Sequence, residues 1–168
     1  MLSRLTSSEV EKLYELLVKR ALGDAAGEDY VEWAWSMQGD GLDTPYLRIL
    51  AGQDWPFDLW EVERYFLQTL EDLKVELPSE DVLSRQCVCL IARGIVSGAI
   101  PPAEGCRNIA RLWFYLDHPS ALRNWDTLED DLPMRGERSS DRLNSTIIEA
   151  AKALLASSFC AGGIMMTR

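Results

Sequence analysis

Apolar residues recur along this chain at intervals of three and four, the spacing that gathers them on one face of an α-helix, and capping and stop residues cut the pattern into segments. Val10, Leu13, Tyr14, Leu17, Val18 and Ala21 form the first stripe. Ser8 and Glu11 have capping-box spacing and Gly23 is a stop, so the pattern predicts a helix from about 8 to 22. Tyr30, Val31, Trp33, Ala34, Trp35 and Met37 are too crowded for one face, which predicts a short helix over about 28 to 37 with at least one ring turned outward. Thr44 as N-cap and Pro45 at the first helical position predict a short helix over Tyr46 to Ala51, closed by Gly52. Asp58 stands three residues before Glu61, and Phe57 is placed to staple against Val62. With the stripe Leu59, Val62, Phe66, Leu70 and Leu73 this predicts a helix from about 58 to 75.

Ser79 precedes Val82, Leu83, Cys87, Leu90, Ile91 and Ile95, read as the inward face of a helix ending near Gly98. Pro101 and Pro102 open another through Cys106, Ile109, Ala110, Trp113, Phe114 and Leu116, and His118-Pro119 ends it. Ser120 to Leu132 holds a turn or two of helix, and a last helix from about 141 to 159 carries Leu143, Ile147, Ile148, Ala151, Leu154 and Leu155. No alternating strand pattern or internal repeat interrupts the series. The expected fold is all-α, a single domain over residues 1–168 built as a bundle of about six to eight helices, with a flexible loop near 133–140 and a frayed tail near 160–168.

The chain has 168 residues and 47% hydrophobic content, enough to bury roughly 70% of its unfolded surface without disulfides or metals. Charge changes the picture more. Residues 1–80 carry 17 acids against 7 bases and residues 81–168 carry 10 against 10, so the whole net charge of −10 belongs to the first half. Such a balance opposes nucleic-acid binding, which needs clustered Lys and Arg on the phosphates. The basic residues of the second half are nine arginines and Lys152, a bias toward fixed ion pairs. The start of the chain lacks a signal peptide's apolar core, and apolar runs such as Cys87 to Ala92 are too short to span a bilayer. The expectation is a cytoplasmic protein with no membrane partner, its four cysteines reduced in apolar surroundings.

Catalytic chemistry finds little footing. A carboxylate-bridged metal centre needs Glu-x-x-His pairs, and the one histidine, His118, directly precedes a proline. Cys87 and Cys89 are separated by about 200° on a helix, so their thiols point apart. Cys106 and His118 lie about 18 Å apart along a helix, too far for a nucleophile and its base. Gly94-Ile-Val-Ser97-Gly98 misses the hydrolase elbow by one position, and Gly39-Asp40-Gly41 is no phosphate loop. We therefore expect no enzyme, no catalytic residue, no cofactor and no metal.

Residues 24–63 are the exception to this blandness. They hold ten carboxylates and one base, Arg48, interleaved with Tyr30, Trp33, Trp35, Tyr46, Trp55, Phe57 and Trp60. Rings supply rigid contact area and carboxylates supply steering, the combination that holds a basic protein. The competing account makes the tryptophans core residues and the acids a solvating surface that suits helix N-termini. The partner-binding candidates are Trp35, Asp40, Asp43, Asp54, Trp55, Asp58 and Trp60. Asp58 has a second explanation as a helix cap, which leaves the turn-borne Asp40, Asp43, Asp54 and Trp55 beside Trp35 as the least explained by folding.

The stretch from Tyr46 to Trp125, with Leu47-Arg-Ile-Leu-Ala-Gly52, Glu61-Val-Glu-Arg-Tyr-Phe66, Pro102-Ala-Glu-Gly-Cys-Arg107 and Leu116-Asp-His-Pro119, resembles small acidic helical proteins of bacterial genomes. Such uncharacterised proteins resemble the immunity proteins that sit beside secreted toxins. The resemblance covers about half the chain, defines no family and carries over no catalytic residue. It implies a non-catalytic immunity or inhibitor protein whose partner is a basic toxin enzyme, occluded through an acidic, aromatic surface. An acidic regulatory adaptor, or a DNA-mimicking inhibitor of a nucleic-acid-handling protein, would use the same surface.

Overall fold

A computed structural model describes residues 5–134 and 139–161 of the chain. The fold is all-α: among the described residues there are nine α-helices, eight of them of seven residues or more, and no strand. The chain divides into two compact units that meet in sequence between Pro78 and Ser79.

The first unit contains α1 (Ser7–Ala21), α2 (Gly27–Gly39), α3 (Pro45–Ala51) and α4 (Leu59–Asp72). The capping box that starts α1 is Thr6 with Glu9, two residues before the expected Ser8 and Glu11. Both pairs have the required spacing, and the earlier one adds Ser7 and Ser8 to the first turn. α3 begins as expected, Thr44 Oγ1 accepting from the Leu47 amide at 3.2 Å. Asp58 caps α4, its carboxylate accepting from the Trp60 and Glu61 amides at 3.0 and 3.2 Å.

Phe66 of α4 lies at the centre of this unit's core, with Tyr30 and Trp33 of α2 packed edge-on against it at 5.3 and 5.0 Å. Leu13 and Leu17 of α1, Met37 of α2, Leu47 and Leu50 of α3 and Val62 of α4 are buried with them. Leu59, expected inward, is exposed. It occupies the first turn of α4, about two turns before the buried Phe66 and three residues before Val62, and the packed face begins only at Val62. Ion pairs fasten the helices from outside: Lys12 to Asp40 at 2.6 Å, Lys19 to Asp29 at 2.5 Å and Arg20 of α1 to Glu63 of α4 at 2.6 Å.

The second unit contains α5 (Glu80–Ser97), α6 (Pro102–Tyr115), a 3-10 turn (Ser120–Leu122), α7 (Arg123–Asp130), α8 (Asp141–Ala156) and the four-residue α9 (Ser158–Ala161). Gly98 ends α5 in the left-handed region at φ 80°, as its position suggested. α5 and α6 approach closely at Gly105, where an added Cβ would stand 2.4 Å from Cγ1 of Ile95. Cys87, Ile91, Cys106, Ile109, Leu122, Trp125, Ile147 and Ala151 are buried. Val82 and Phe114, both expected inward, are exposed. Val82 sits in the first turn of α5, and Phe114 sits in the last turn of α6, where its ring meets Trp113 at 5.1 Å and His118 at 5.3 Å.

The cysteine expectation is corrected. Cys89 of α5 and Cys160 of α9 form a disulfide across a Cα–Cα distance of 5.9 Å, while Cys87 and Cys106 are buried thiols. Cysteines 71 positions apart were brought together by packing, which spacing along the chain does not reveal. The tail expected to fray from residue 160 is helical at Cys160 and Ala161. Residues 162–168, and residues 135–138 of the expected loop, lie outside the described residues.

Candidate partner-binding face

The segment between α3 and α4 starts from Gly52, which follows the last residue of α3, and ends where Asp58 caps α4. It is held near its end by Phe57. That ring, read from sequence as a staple toward Val62, lies against Gly27 at the start of α2, where an added Cβ would stand 2.4 Å from the Phe57 Cβ. With Phe57 turned to the protein, its neighbours turn away from it. Trp55 is 82% exposed and Trp60, in the first turn of α4, is 70% exposed. Asp54 and Asp58 are exposed beside them, and the Trp55–Pro56 peptide is cis. Four of the seven candidate residues thus fall within one run of seven residues.

Trp35 comes to the same end of the unit by a different route. Its ring is 58% exposed, while its indole Nε1 donates to the carbonyl oxygen of Ala51 at 2.6 Å, on the last residue of α3. Ile49 and Leu59 add exposed aliphatic surface on α3 and α4. Of the acidic and aromatic stretch, only part is core: Tyr30 and Trp33 are buried, and Trp35, Trp55 and Trp60 are not.

The carboxylates sort just as clearly. Asp29 accepts from Lys19 and from the Ala26 amide at 2.8 Å, Asp40 takes Lys12, Glu63 takes Arg20, and Asp43 takes Arg48 at 3.0 Å. Burial acts to raise the Asp29 pKa, but the Lys19 and Ala26 hydrogen bonds outweigh it and hold the carboxyl below its ordinary value. The hydrogen bond that Lys19 donates to Asp29 raises Lys19 in turn, assisted by the charges of Asp29, Glu32 and Glu15. Asp40 and Asp43 therefore carry their own counterions. Asp54 has no hydrogen bond or ion pair to the described residues, and Asp58 spends one oxygen on the α4 amides.

Arg64 adds a cation to this surface that sequence reasoning passed over. The guanidinium of Arg64 lies 5.3 Å from the Trp60 ring centroid and 4.8 Å from that of Tyr65. Glu61 holds this group together, lying 3.5 Å from Arg64 and accepting from the Tyr65 hydroxyl at 2.9 Å. Tyr65 in turn stacks on Tyr46 at 6.4 Å. The four-residue step from Trp60 to Arg64 is one helical turn, so the pairing was legible.

The second unit has a groove of about 590 Å³ between α6 and α7, with Phe114 and Met134 at its exposed margin and Asp126, Glu129 and Asp130 on its α7 wall. Its arginine side is engaged within the protein, Arg107 donating to the Pro133 carbonyl at 2.7 Å. The thiols of this unit are poor nucleophiles: burial pushes Cys87 and Cys106 up to about 12. His118, considered with Cys106, packs its ring on Trp113 at 4.4 Å. Among the described residues no three His, Cys, Asp or Glu side chains converge as a metal site would need, and no helix is long and apolar enough to cross a membrane.

These features define an all-α protein whose first unit presents an aromatic surface edged with carboxylates. No protein-family model, curated protein or solved structure matches the chain.

Proposed function

We propose that the chain is a non-catalytic immunity or inhibitor protein that binds a basic toxin enzyme through the surface around residues 54–60 and blocks it by occlusion. The reading rests on one observation: Trp55 and Trp60 are displayed within one run of seven residues, beside the exposed Asp54 and Asp58, and neither ring serves the core. Large exposed rings at the centre of a patch are typical binding anchors, and surrounding charges set the rate and choice of partner. Asp54 and Asp58 are the carboxylates available to lysines and arginines of the partner, because Asp40 and Asp43 already have theirs. In this reading the protein acts in the cytoplasm.

Arg64 favours this reading over mimicry of DNA. A DNA mimic offers a continuous negative face, whereas here a guanidinium lies over Trp60 within the patch, a mixed charge pattern suited to another protein surface.

The test is capture on immobilised protein from an extract of the native organism, run in parallel with Asp54→Lys and Trp55→Ala. We expect one strongly basic protein to be retained by the wild type at low salt, to be released at several hundred millimolar salt, and to be lost with both variants. Equal retention by all three proteins would move the interface away from this segment.

A further inference from the structure

The last helix is tied to its unit in an unusual way. α9 has four residues and none of them is fully buried, Phe159 and Cys160 being half-buried. Its attachments include the turn from Ser157, whose carbonyl accepts from the Cys160 and Ala161 amides and whose hydroxyl accepts from the Phe159 amide, the guanidinium of Arg85 over the Phe159 ring at 5.5 Å, and the Cys89–Cys160 bond. The two sulfurs differ in access. Cys89 is 5% exposed beneath α9, and Cys160 is half-buried.

We propose that Cys89–Cys160 is a reversible redox latch that closes α9 over α5 when oxidised and releases it when reduced. A small thiol reaches Cys160 first. Its thiolate attacks the Cys160 sulfur, forming a mixed disulfide while Cys89 leaves as a thiolate and takes a proton. A second thiol then removes the first as a low-molecular-weight disulfide, leaving Cys160 as a thiol. Two thiols are oxidised, the protein bond gains two electrons and two protons, and a small disulfide closes the latch by the reverse steps. Reshuffling within the protein is suppressed, because Cys87 and Cys106 are buried and stay protonated at neutral pH.

The rest of the unit does not depend on α9. Ile91, Ile109, Leu122, Trp125, Ile147 and Leu154 form its core from α5, α6, the 3-10 turn, α7 and α8. Opening is therefore confined to α9 and uncovers the α5 surface around Arg85 and Cys89. The latch is independent of the partner reading of residues 54–60. It also meets the expectation of a cytoplasmic protein: the bond is open in a reducing compartment and forms on exposure to small disulfides.

The full chain equilibrated with reduced and oxidised glutathione over a range of ratios provides the test. Alkylation and mass spectrometry count the thiols, and hydrogen exchange reads the backbone. We expect oxidised protein to give a linked peptide joining Cys89 to Cys160, and mild reduction to add two alkyl groups at those positions while Cys87 and Cys106 stay unlabelled. Exchange at residues 158–161 is expected to rise at least tenfold, with α6 and α8 unchanged, and Cys160→Ser is expected to show that pattern without reductant. Absence of the linked peptide, unchanged exchange at residues 158–161, or loss of protection throughout α5, α6 and α8 on reduction would each overturn the latch. The last of these outcomes would make the bond a structural staple.

Discussion

The indole Nε1 of Trp35 donates to the carbonyl of Ala51 across 2.6 Å, so a ring that lies mostly in solvent also holds the C-terminus of α3. Trp55, four residues beyond Ala51, makes no such bond. Trp35→Phe removes the donor and keeps most of the ring, and we expect a loss of about 1 kcal/mol in urea denaturation, the net worth of a typical hydrogen bond. Trp55→Ala is expected to change stability by less than about 0.5 kcal/mol, as for surface positions generally. The two variants separate a ring used for folding from one that folding does not use.

Gly27 controls where the exposed segment sits. A Cβ there would meet the Phe57 Cβ at 2.4 Å, an atom next to the backbone that cannot swing aside as the end of a side chain can. We expect Gly27→Ala to destabilise the first unit by about 1–3 kcal/mol, the range for overpacking, and to displace residues 54–58. Faster hydrogen exchange across residues 53–60 than in the wild type would report that shift, and an unchanged exchange pattern would contradict the close contact.

The Lys19–Asp29 pair makes the link between α1 and α2 dependent on pH. Asp29 titrates below its ordinary value in the folded chain, so its contribution is present above the unfolded carboxyl pKa and disappears as pH falls through the lower folded value. Lys19 is shifted up, so its contribution is present below the ordinary lysine value and is lost as pH rises through the raised one. We expect the stability difference between wild type and Asp29→Asn to be constant near neutrality and to shrink toward zero below about pH 4. Denaturant midpoints measured at half-unit pH steps give the curve.

Asp54 and Asp58 are neighbours with different duties. Asp58→Ala removes the α4 cap and is expected to cost about 1 kcal/mol, whereas Asp54→Lys is expected to leave the denaturation midpoint unchanged. Once the partner is in hand, Asp54→Lys is expected to slow association at low salt at least tenfold, and Arg64→Ala to act mainly on dissociation, by freeing the Trp60 ring from its guanidinium. Stopped-flow and dissociation measurements at two salt concentrations distinguish these effects.

Much of the helical framework was legible because its signals are local. Thr44-Pro45 and Asp58 mark helix starts through bonds to amides two or three residues away, and Gly98 marks an end through its own backbone angle. The start of α1 was misplaced because two overlapping capping boxes compete there, and sequence spacing does not rank them. Leu59, Val82 and Phe114 belong to their helical stripes, yet a stripe says nothing of where the neighbouring helix stops covering it. The site was legible in its residue types, whereas its division of labour was not. Whether Glu63 faces a partner or Arg20 depends on a contact 43 residues distant, and the Cys89–Cys160 pairing is more distant still.

The distribution of the tryptophans gives the protein a built-in optical reporter. Trp35, Trp55 and Trp60, the three exposed indoles, all precede residue 78, while in the second unit Trp125 is fully buried and Trp113 half-buried. A neutral quencher such as acrylamide therefore acts first on the exposed indoles of the first unit, and the emission it spares comes from the more shielded ones. A macromolecule settling over residues 54–60 would shift the red part of the spectrum to the blue and protect it from quenching, so binding can be followed on the unlabelled chain.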